Sequence, residues 1–220
     1  MYRWSNGKKV TRSANNHHTG LEGCKSKNPD QTMDSIRKLF SGFTEQSDKD
    51  WEFFSSRLQE VSFPKRSLIL GKGEIEQHLS YVEEGVLRLY IPKHENDVTF
   101  SFVFPGNFVS AYDSFLTQTP CSYQVQALTD AKLHRIHYKS LQEVYAHTVV
   151  GNEIGRKSAE GLFLAKAKRE LSLLTKTAEE RYLALFSQRP ELIRHIPLKY
   201  IASYIGITPQ ALSRIRSRIS

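Results

Sequence analysis

Two hydrophobic periodicities divide this 220-residue chain into helical flanks and a strand-rich middle. From Met33 onward, and again over residues 44–58, apolar side chains recur at intervals of three and four residues. This spacing predicts two amphipathic helices, the second with Thr44 or Ser47 as its N-cap. Residues 1–32 are rich in Ser, Asn, Lys and His and lack such a pattern. We therefore expect a disordered basic leader there, with Met33 as an alternative start of the chain.

The middle of the chain is built from short β-rich runs. These runs cover residues 61–74, 78–91, 97–109 and 122–137. They are interrupted by turn signals at Gly73, Gly85, Pro105-Gly106 and Thr129-Asp130, and by the polar stretch 95–97. Short strands at this regular spacing predict an antiparallel sandwich or roll of about eighty residues. With the flanking helices, the predicted fold class is α+β, and residues 33–150 form its first domain.

After His137 the pattern is helical, with a short helix over residues 139–147 and a long one over residues 151–175. The long helix carries a narrow seam of apolar and small residues, namely Ile154, Ser158, Leu162 and Ala165. Its other faces are charged, so they are expected to face solvent. A helix of this kind either packs along the roll or pairs with its twin, and we expect the dimer.

The last 45 residues, 176–220, carry the pattern of a helix-turn-helix unit. One helix starts at Thr177 as N-cap and is followed by Pro190. A second helix follows Pro197 and ends at Gly206, which suits a left-handed turn. Thr208 caps the third helix and Pro209 opens it. The alternative is an ordinary helical hairpin with a basic end.

The apolar positions of the last helix determine which side chains point outward. Leu212 and Ile215 face the preceding helix, so the outward face presents Pro209, Gln210, Ser213 and Arg214 as candidate base-reading residues. Gln and Arg can read adenine and guanine edges in the DNA major groove by paired hydrogen bonds. Candidate phosphate-contacting residues around this face are Thr208, Lys199, Tyr204, Arg216 and Arg218.

The charge distribution agrees with a polyanionic partner. The chain has a net charge of +8, but residues 151–220 carry 13 Lys and Arg against six Glu. The leader is also basic, whereas residues 33–150 are mildly acidic. A basic C-terminal third indicates double-stranded DNA as a partner, although charge alone fits a solvated basic face equally well.

Several of these segments resemble the Crp/Fnr superfamily of bacterial transcription regulators. The resemblance spans residues 33–220 and is carried by LGKGE, YVEEGVLRLY, FVFPGNFV, SYQVQALTDAKLHRIH and IASYIGITPQALSRIR. It implies a cyclic nucleotide-binding-like β-roll as sensor domain, a long dimerisation helix and a C-terminal helix-turn-helix. The spacer from Gln188 to His195 is short for the β-hairpin that usually precedes the recognition unit, so the presence of a wing stays open.

The nucleotide-binding signature of the family is degenerate in this chain. The pocket residues implied by the resemblance are Gly106, Val109, Ser110, Ala111, Cys121 and Ser122. Ser110-Ala111 stands where the family has Gly-Glu, and Cys121-Ser122 stands where it has Arg-Ser. Because the arginine that would pair with the cyclic phosphate is absent, we expect no response to cyclic AMP. The pocket is then empty, holds another small effector, or serves as packing core.

Other functional classes find little support in the sequence. We expect no metal and no cofactor, because Cys24 and Cys121 are isolated and His134 and His137 point to opposite faces of a strand. No catalytic signature is present, so we expect that the protein is not an enzyme. The chain shows no secretion signal and no apolar run of roughly 18 residues, which indicates a cytoplasmic protein. The alternative function is a ligand-binding or protein-interaction module that does not bind DNA.

Overall fold

The computed structural model describes residues 29–219, so Cys24, the histidine pair at 17–18 and most of the predicted leader lie outside it. The helices are α1 (Pro29–Ser41), α2 (Asp48–Ser55), α3 (Tyr112–Thr117), α4 (Tyr138–His147), α5 (Val149–Thr175), α6 (Ala178–Gln188), α7 (Pro190–His195), α8 (Leu198–Ile205) and α9 (Pro209–Ile219). The strands are β1 (Gln59–Phe63), β2 (Leu68–Leu70), β3 (His78–Glu84), β4 (Leu87–Ile91), β5 (Val98–Val103), β6 (Asn107–Val109), β7 (Gln124–Ala127) and β8 (Ala131–His137).

The eight strands form two antiparallel four-stranded sheets. One sheet has the order β1-β8-β3-β6 and the other the order β2-β7-β4-β5. Three of the four predicted runs contain two strands separated by a predicted turn, whereas β1 and β2 of the first run are separated at residues 64–67, where no turn was predicted. The predicted α+β fold with an antiparallel roll is confirmed. Val82, Leu87, Ala127 and Leu133 are fully buried between the sheets. Alternating side chains of both sheets therefore build one core.

Gly85 is required where β3 turns into β4. Its φ is 87°, and an added Cβ would lie 2.4 Å from the carbonyl oxygen of Asp130. Both the left-handed backbone and the close approach exclude a side chain at this position. The turn at 84–85 was predicted from the sequence, and the packing shows why it carries glycine.

The helices before the roll agree with the predicted pattern but have different limits. Helix α1 begins at Pro29, so it contains the last four residues of the predicted leader as well as Met33. Helix α2 is shorter than predicted, and Ser47 rather than Thr44 caps it by accepting from the amide of Asp50 at 3.1 Å. Ile36 is fully buried in an aromatic-rich cluster against α4 and the β1-β8-β3-β6 sheet.

The C-terminal helices form a second core that is joined to the roll. Leu185, Leu192, Ile201 and Leu212 are buried together from α6, α7, α8 and α9, and Phe102 of strand β5 belongs to the same cluster. Helix α7, which was not predicted, fills the spacer between Gln188 and Pro197. All elements that the structure describes after His137 are helices, so that spacer contains no hairpin.

Candidate nucleic-acid interface and ligand pocket

The turn between α8 and α9 has the geometry that the sequence predicts. Gly206 has a φ of 81°, and its amide donates to the carbonyl of Ser203 at 3.1 Å. The amide of Ile207 donates to the carbonyl of Ala202 at 3.0 Å, which completes a Schellman-type helix end. Thr208 Oγ1 accepts from the amide of Ala211 at 3.2 Å and so caps α9.

The predicted base-reading residues lie together on the exposed face of α9. Pro209, Gln210, Ser213 and Arg214 are all exposed. On the opposite face Leu212 and Ile215 are buried in the helical core, and this contrast fixes the rotation of α9. The helix therefore presents a polar, basic ridge to solvent, as its 3.6-residue period requires.

The predicted phosphate-contacting residues divide into two groups. Thr208, Lys199, Arg216 and Arg218 are exposed, and Arg218 forms an ion pair with Glu179 at 3.0 Å. Tyr204 departs from the prediction because its side chain is buried and lies against Phe102 at 5.5 Å between ring centroids. The period of α8 places Tyr204 toward the roll, so its ring is not available to a phosphate.

Two arginines hold the C-terminal end of α8. Arg169 of α5 donates to the carbonyl oxygen of Tyr204 at 2.7 Å and lies 4.0 Å from the centroid of its ring. Arg181 of α6 donates to the carbonyl of Ile205 at 2.9 Å. Positive charge is favourable at a helix C-terminus, where backbone carbonyls lack partners. Arg169 was predicted to face solvent and instead links α5 to the helix-turn-helix unit.

Strand β5 and helix α8 are joined by direct hydrogen bonds. Ser203 Oγ accepts from the amide of Thr99 at 2.8 Å and donates to the carbonyl of Asp97 at 2.6 Å. Because β5 is an edge strand, these backbone groups have no strand partner on that side. Ser203 thus provides hydrogen-bond partners for the backbone of the edge strand and fixes α8 against it. The two segments are too far apart in sequence for this contact to be predicted.

Arg88 reinforces this junction from inside the roll. Its side chain is 2% exposed, and its guanidinium lies 4.0 Å from the ring centroid of Tyr90 and 4.1 Å from that of Tyr200. Nε donates to Thr99 Oγ1 at 2.8 Å, and Nη2 lies 3.2 Å from Asp97 Oδ2. A buried guanidinium between two aromatic faces is stabilised by cation–π attraction. Arg88 therefore connects the roll to α8.

The pocket residues implied by the resemblance are mostly used for packing. Val109 and Cys121 are buried in the roll core, whereas Ser122 is exposed. Ser110 donates through Oγ to the carbonyl of His78 at 3.0 Å. Gly106 has a φ of 85° in the turn between β5 and β6. Ala111, which precedes α3, is fully buried.

Carboxylates surround the position where the family's arginine would stand. The amide of Ala111 donates to Glu76 Oε2 at 3.4 Å, and Tyr123 donates its hydroxyl to Asp113 at 2.5 Å. Burial raises the pKa of the Cys121 thiol, and the nearby charges of Asp113 and Glu76 raise it further. Burial and the hydrogen bond to Asp113 raise the pKa of Tyr123. The charges of Asp113 and Glu76 act on Cys121 and disfavour a phosphate there, although Glu76 also lies 3.7 Å from Arg135.

Two residues of the predicted seam of α5 are covered within this chain. Ala165 is buried, and Ile154 packs against the cluster that contains Ile36 of α1 and Leu141 of α4, which favours the alternative that α5 lies along the roll at these positions. A different set of apolar side chains on α5 is exposed: Phe163 (70%), Leu164 (67%), Leu171 (60%) and Leu174 (76%). Leu162 of the predicted seam is also 36% exposed, so only part of the seam is covered within this chain.

Histidines of β8 have separate partners, as their spacing predicts. His134 Nε2 lies 2.7 Å from Glu83 Oε2, and the ring of His137 lies 5.4 Å from that of His78. Glu60, Glu83 and His134 bring three potential ligand atoms within 4.8 Å of one another. The ammonium of Lys132 lies 2.9 Å from Glu60 and 3.4 Å from Glu83, so it supplies the counter-charge that a cation would bring.

The roll matches a known domain family. Residues 60–148 match the family model described as the cyclic nucleotide-binding domain. These residues are therefore similar to cyclic nucleotide-binding domains, and the pocket chemistry above is specific to this chain. No helix among residues 29–219 is long and apolar enough to cross a membrane.

Solved structures of bacterial regulators share the fold of the cyclic nucleotide-binding domain and its C-terminal helices. FixK2 from Bradyrhizobium japonicum is 22% identical with a TM-score of 0.60, over 74% of this chain and 84% of that one. CLP from Xanthomonas campestris, described as a c-di-GMP-responsive global regulator, is 17% identical with a TM-score of 0.61, over 79% and 91%.

A third solved structure gives the same result. A putative transcriptional regulator of the Crp/Fnr family from Eubacterium rectale is 14% identical with a TM-score of 0.64, over 79% of this chain and 83% of that one. No curated protein matches the chain in sequence. The predicted Crp/Fnr-type fold is confirmed, and at these identities the comparison shows the fold alone.

Proposed function

We propose that this chain is a homodimeric, sequence-specific DNA-binding transcriptional regulator of Crp/Fnr type. The observation that carries the proposal is the exposed ridge of Gln210, Ser213 and Arg214 on α9, above the buried Leu212 and Ile215. A helix held in this way by a helix-turn-helix can enter the major groove and offer its polar side chains to base edges. The proposal includes no catalytic activity, and such a regulator acts in the cytoplasm.

The exposed basic side chains supply affinity for the DNA backbone. Lys199 and Arg216 flank the ridge. Arg218 forms a surface ion pair with Glu179, which it would give up in order to bind a phosphate. Surface ion pairs of this kind contribute only about 0–1 kcal/mol, so the exchange costs little. Tyr204 is excluded from this set because its ring is buried.

Dimerisation is supported by the exposed apolar face of α5. Phe163, Leu164, Leu171 and Leu174 are each at least 60% exposed, which is unusual for large apolar side chains on a helix of a monomer. A second copy of α5 can cover this face by coiled-coil-like packing. The two α9 helices would then read two half-sites about 34 Å apart.

The pocket chemistry supports the absence of a cyclic AMP response. Residue 121 is a cysteine rather than an arginine, and the charges of Asp113 and Glu76 act on it. A cyclic phosphate brought to this position would meet these carboxylates without an arginine at residue 121 to pair with it. Calorimetric titration with cyclic AMP should give no binding heat at micromolar ligand, and a saturable heat in that range would contradict this part of the proposal.

The test of DNA binding compares two arginine variants on two duplexes. Arg214→Ala should weaken binding to a selected duplex by about 1–3 kcal/mol and change binding to a random duplex little. Arg218→Ala should weaken both equally and lower the slope of log affinity against log salt by about one unit. Equal losses for both variants on both duplexes would contradict the assigned roles. Absence of duplex binding by the wild type would favour a ligand-binding module instead.

A further inference from the structure

Three neighbouring strands of the roll bring two carboxylates and an imidazole together. Glu60 of β1 and His134 of β8 lie directly opposite each other in the sheet. The register of β3 against β8 shifts between Val82 and Glu84, so Glu83 is the extra residue of a β-bulge, a feature that redirects a side chain. Glu83 Oε2 lies 2.7 Å from His134 Nε2. One potential ligand atom from each of Glu60, Glu83 and His134 thus lies within 4.8 Å of the other two.

The carboxylate of Glu83 is buried but incompletely satisfied. Its side chain is 1% exposed, and its Oε1 has no hydrogen-bond partner among the residues that the structure describes. Burial opposes the ionisation of Glu83, but Thr32, His134 and Lys132 lower its pKa on balance. The Thr32 hydroxyl nevertheless forms no hydrogen bond of acceptable geometry, and both side chains line a cavity of about 10 Å³. A buried carboxylate oxygen without a partner is costly, so this oxygen marks a position for a ligand.

The charge balance of the cluster favours a divalent cation. The Lys132 ammonium lies 2.9 Å from Glu60 and 3.4 Å from Glu83, so a single positive charge faces two carboxylates. When His134 is neutral, as it is in a metal ligand, a negative charge remains uncompensated. A divalent ion in place of the ammonium would neutralise both carboxylates. The side chains of Lys132 and Glu60 are 19% and 45% exposed, so the ammonium can move into solvent and an ion can enter from the side of Glu60.

The donor atoms indicate which kind of ion fits. An imidazole nitrogen together with carboxylate oxygens suits Zn²⁺ and other first-row transition ions, whereas Mg²⁺ and Ca²⁺ prefer oxygen ligands alone. We propose that Glu60, Glu83 and His134 bind a divalent transition-metal ion such as Zn²⁺ in exchange for the Lys132 ammonium. The three ligands come from three separate strands, so no spacing in the sequence predicts this site. The inference does not depend on the proposed binding of DNA.

Calorimetric titration of the chelator-treated full chain with zinc chloride measures binding directly. Zinc should bind saturably at micromolar concentration, and magnesium chloride should give no saturable heat under the same conditions. Equal binding of magnesium would overturn the assignment to a transition metal. Absence of zinc binding would leave the cavity beside Glu83 to water and overturn the site. A chain that binds duplex DNA but no zinc contradicts this inference alone.

The leader contains other potential zinc ligands, namely His17, His18 and Cys24. The double variant His17→Gln/His18→Gln should therefore bind zinc with the affinity of the wild type, and loss of binding would assign the ion to the leader and overturn the proposal. Cobalt(II) gives a second readout. Bound by nitrogen and oxygen ligands, it should absorb in the visible range without the intense near-ultraviolet band of a cobalt–thiolate bond. Such a band would assign the ion to a cysteine instead.

Lys132→Met is the most informative variant because it should bind zinc more tightly than the wild type. Methionine retains an apolar stem of similar length but removes the ammonium that competes with the ion, so we expect a gain of about tenfold in zinc affinity. Lys139→Met, exposed in the first turn of α4, is the matched control and should bind zinc as the wild type. A purely structural role of Lys132 predicts no gain. Unchanged or weaker zinc binding by folded Lys132→Met would overturn the exchange.

Removal of a ligand should have the opposite effect. Glu60→Gln and His134→Gln should each weaken zinc binding at least about tenfold, since even partners outside the ligand shell contribute that much. Glu143→Gln and His147→Gln, both exposed on α4, are the controls and should bind as the wild type. Thermal unfolding without metal verifies that each variant is folded, and zinc should then raise the midpoint of the wild type but not that of His134→Gln. If both folded ligand variants bind zinc as well as the controls, the assignment is wrong.

Discussion

The amide of Thr99 donates to the Oγ of Ser203 at 2.8 Å, and this bond joins the edge of the roll to the first helix of the helix-turn-helix. The same hydroxyl donates to the carbonyl of Asp97 at 2.6 Å. Together with Arg88, which lies between Tyr90 and Tyr200, it sets the position of α8 on the roll. Helix α9 is thereby held through its neighbour α8 by residues of the roll.

Removal of the Ser203 hydroxyl should loosen this junction. Ser203→Ala leaves the Thr99 amide and the Asp97 carbonyl without their partner, so we expect a loss of about 1–3 kcal/mol in the free energy of unfolding. Urea unfolding measures it. Ser187→Ala, which removes an exposed hydroxyl on α6, is the matched control and should cost less than about 0.5 kcal/mol. Equal costs for the two variants would show that the junction contributes nothing to stability.

The exposed apolar face of α5 gives a prediction about assembly. Leu171→Glu places a charge on the surface that we assign to the dimer, so the variant should sediment as a monomer at micromolar concentrations where the wild type is a dimer. Leu116→Glu replaces a similarly exposed leucine on α3 and should remain dimeric. Sedimentation velocity distinguishes the species. A dimeric Leu171→Glu variant would contradict the assignment of this face.

Stability should fall on mild acidification because of His78. Burial, and then the charges of Arg135 and His137, lower the pKa of His78 from 6.5 to about 4. Between these values the unfolded chain takes up a proton that the folded chain does not, so stability decreases as pH falls from 6.5 to 4 and this contribution levels off below 4. His78→Gln should flatten the dependence of the urea midpoint on pH between 6.5 and 5.

The control for this pH dependence is an exposed histidine. His195→Gln alters an exposed side chain at the end of α7 and should leave the slope of the urea midpoint against pH as in the wild type. If His78→Gln shows the wild-type slope, another group accounts for the loss of stability on acidification.

Local signals explain which parts of the fold could be predicted from the sequence. The α8–α9 turn was predictable because Gly206, Thr208 and Pro209 each perform a conformational task within a few residues of one another. The strand runs were predictable from their β-rich composition and from turn residues such as Gly85. Helices α3 and α7 were missed because six residues are too few to display a helical period.

Contacts between segments that are distant in the sequence could not be predicted. Periodicity identifies Tyr204 and Arg169 as residues of helices, but it does not tell which neighbour covers each face. Tyr204 therefore looked available to phosphate, although Phe102 of β5 covers it. In the same way, the small residues near Ala165 suggested a dimer seam, whereas Ala165 itself is covered within this chain. The choice between neighbours is made by tertiary packing, which no local pattern encodes.

Selection of duplexes from a random pool by the full-length protein tests directly whether α9 reads DNA bases. We expect enrichment of an inverted repeat whose half-sites lie one helical turn apart, with Arg214→Ala relaxing one base position in each half. The opposite result is a pool without a shared sequence, or an enriched site that Gln210→Ala and Arg214→Ala both leave unchanged. Either outcome would contradict the assignment of α9 as a base-reading helix.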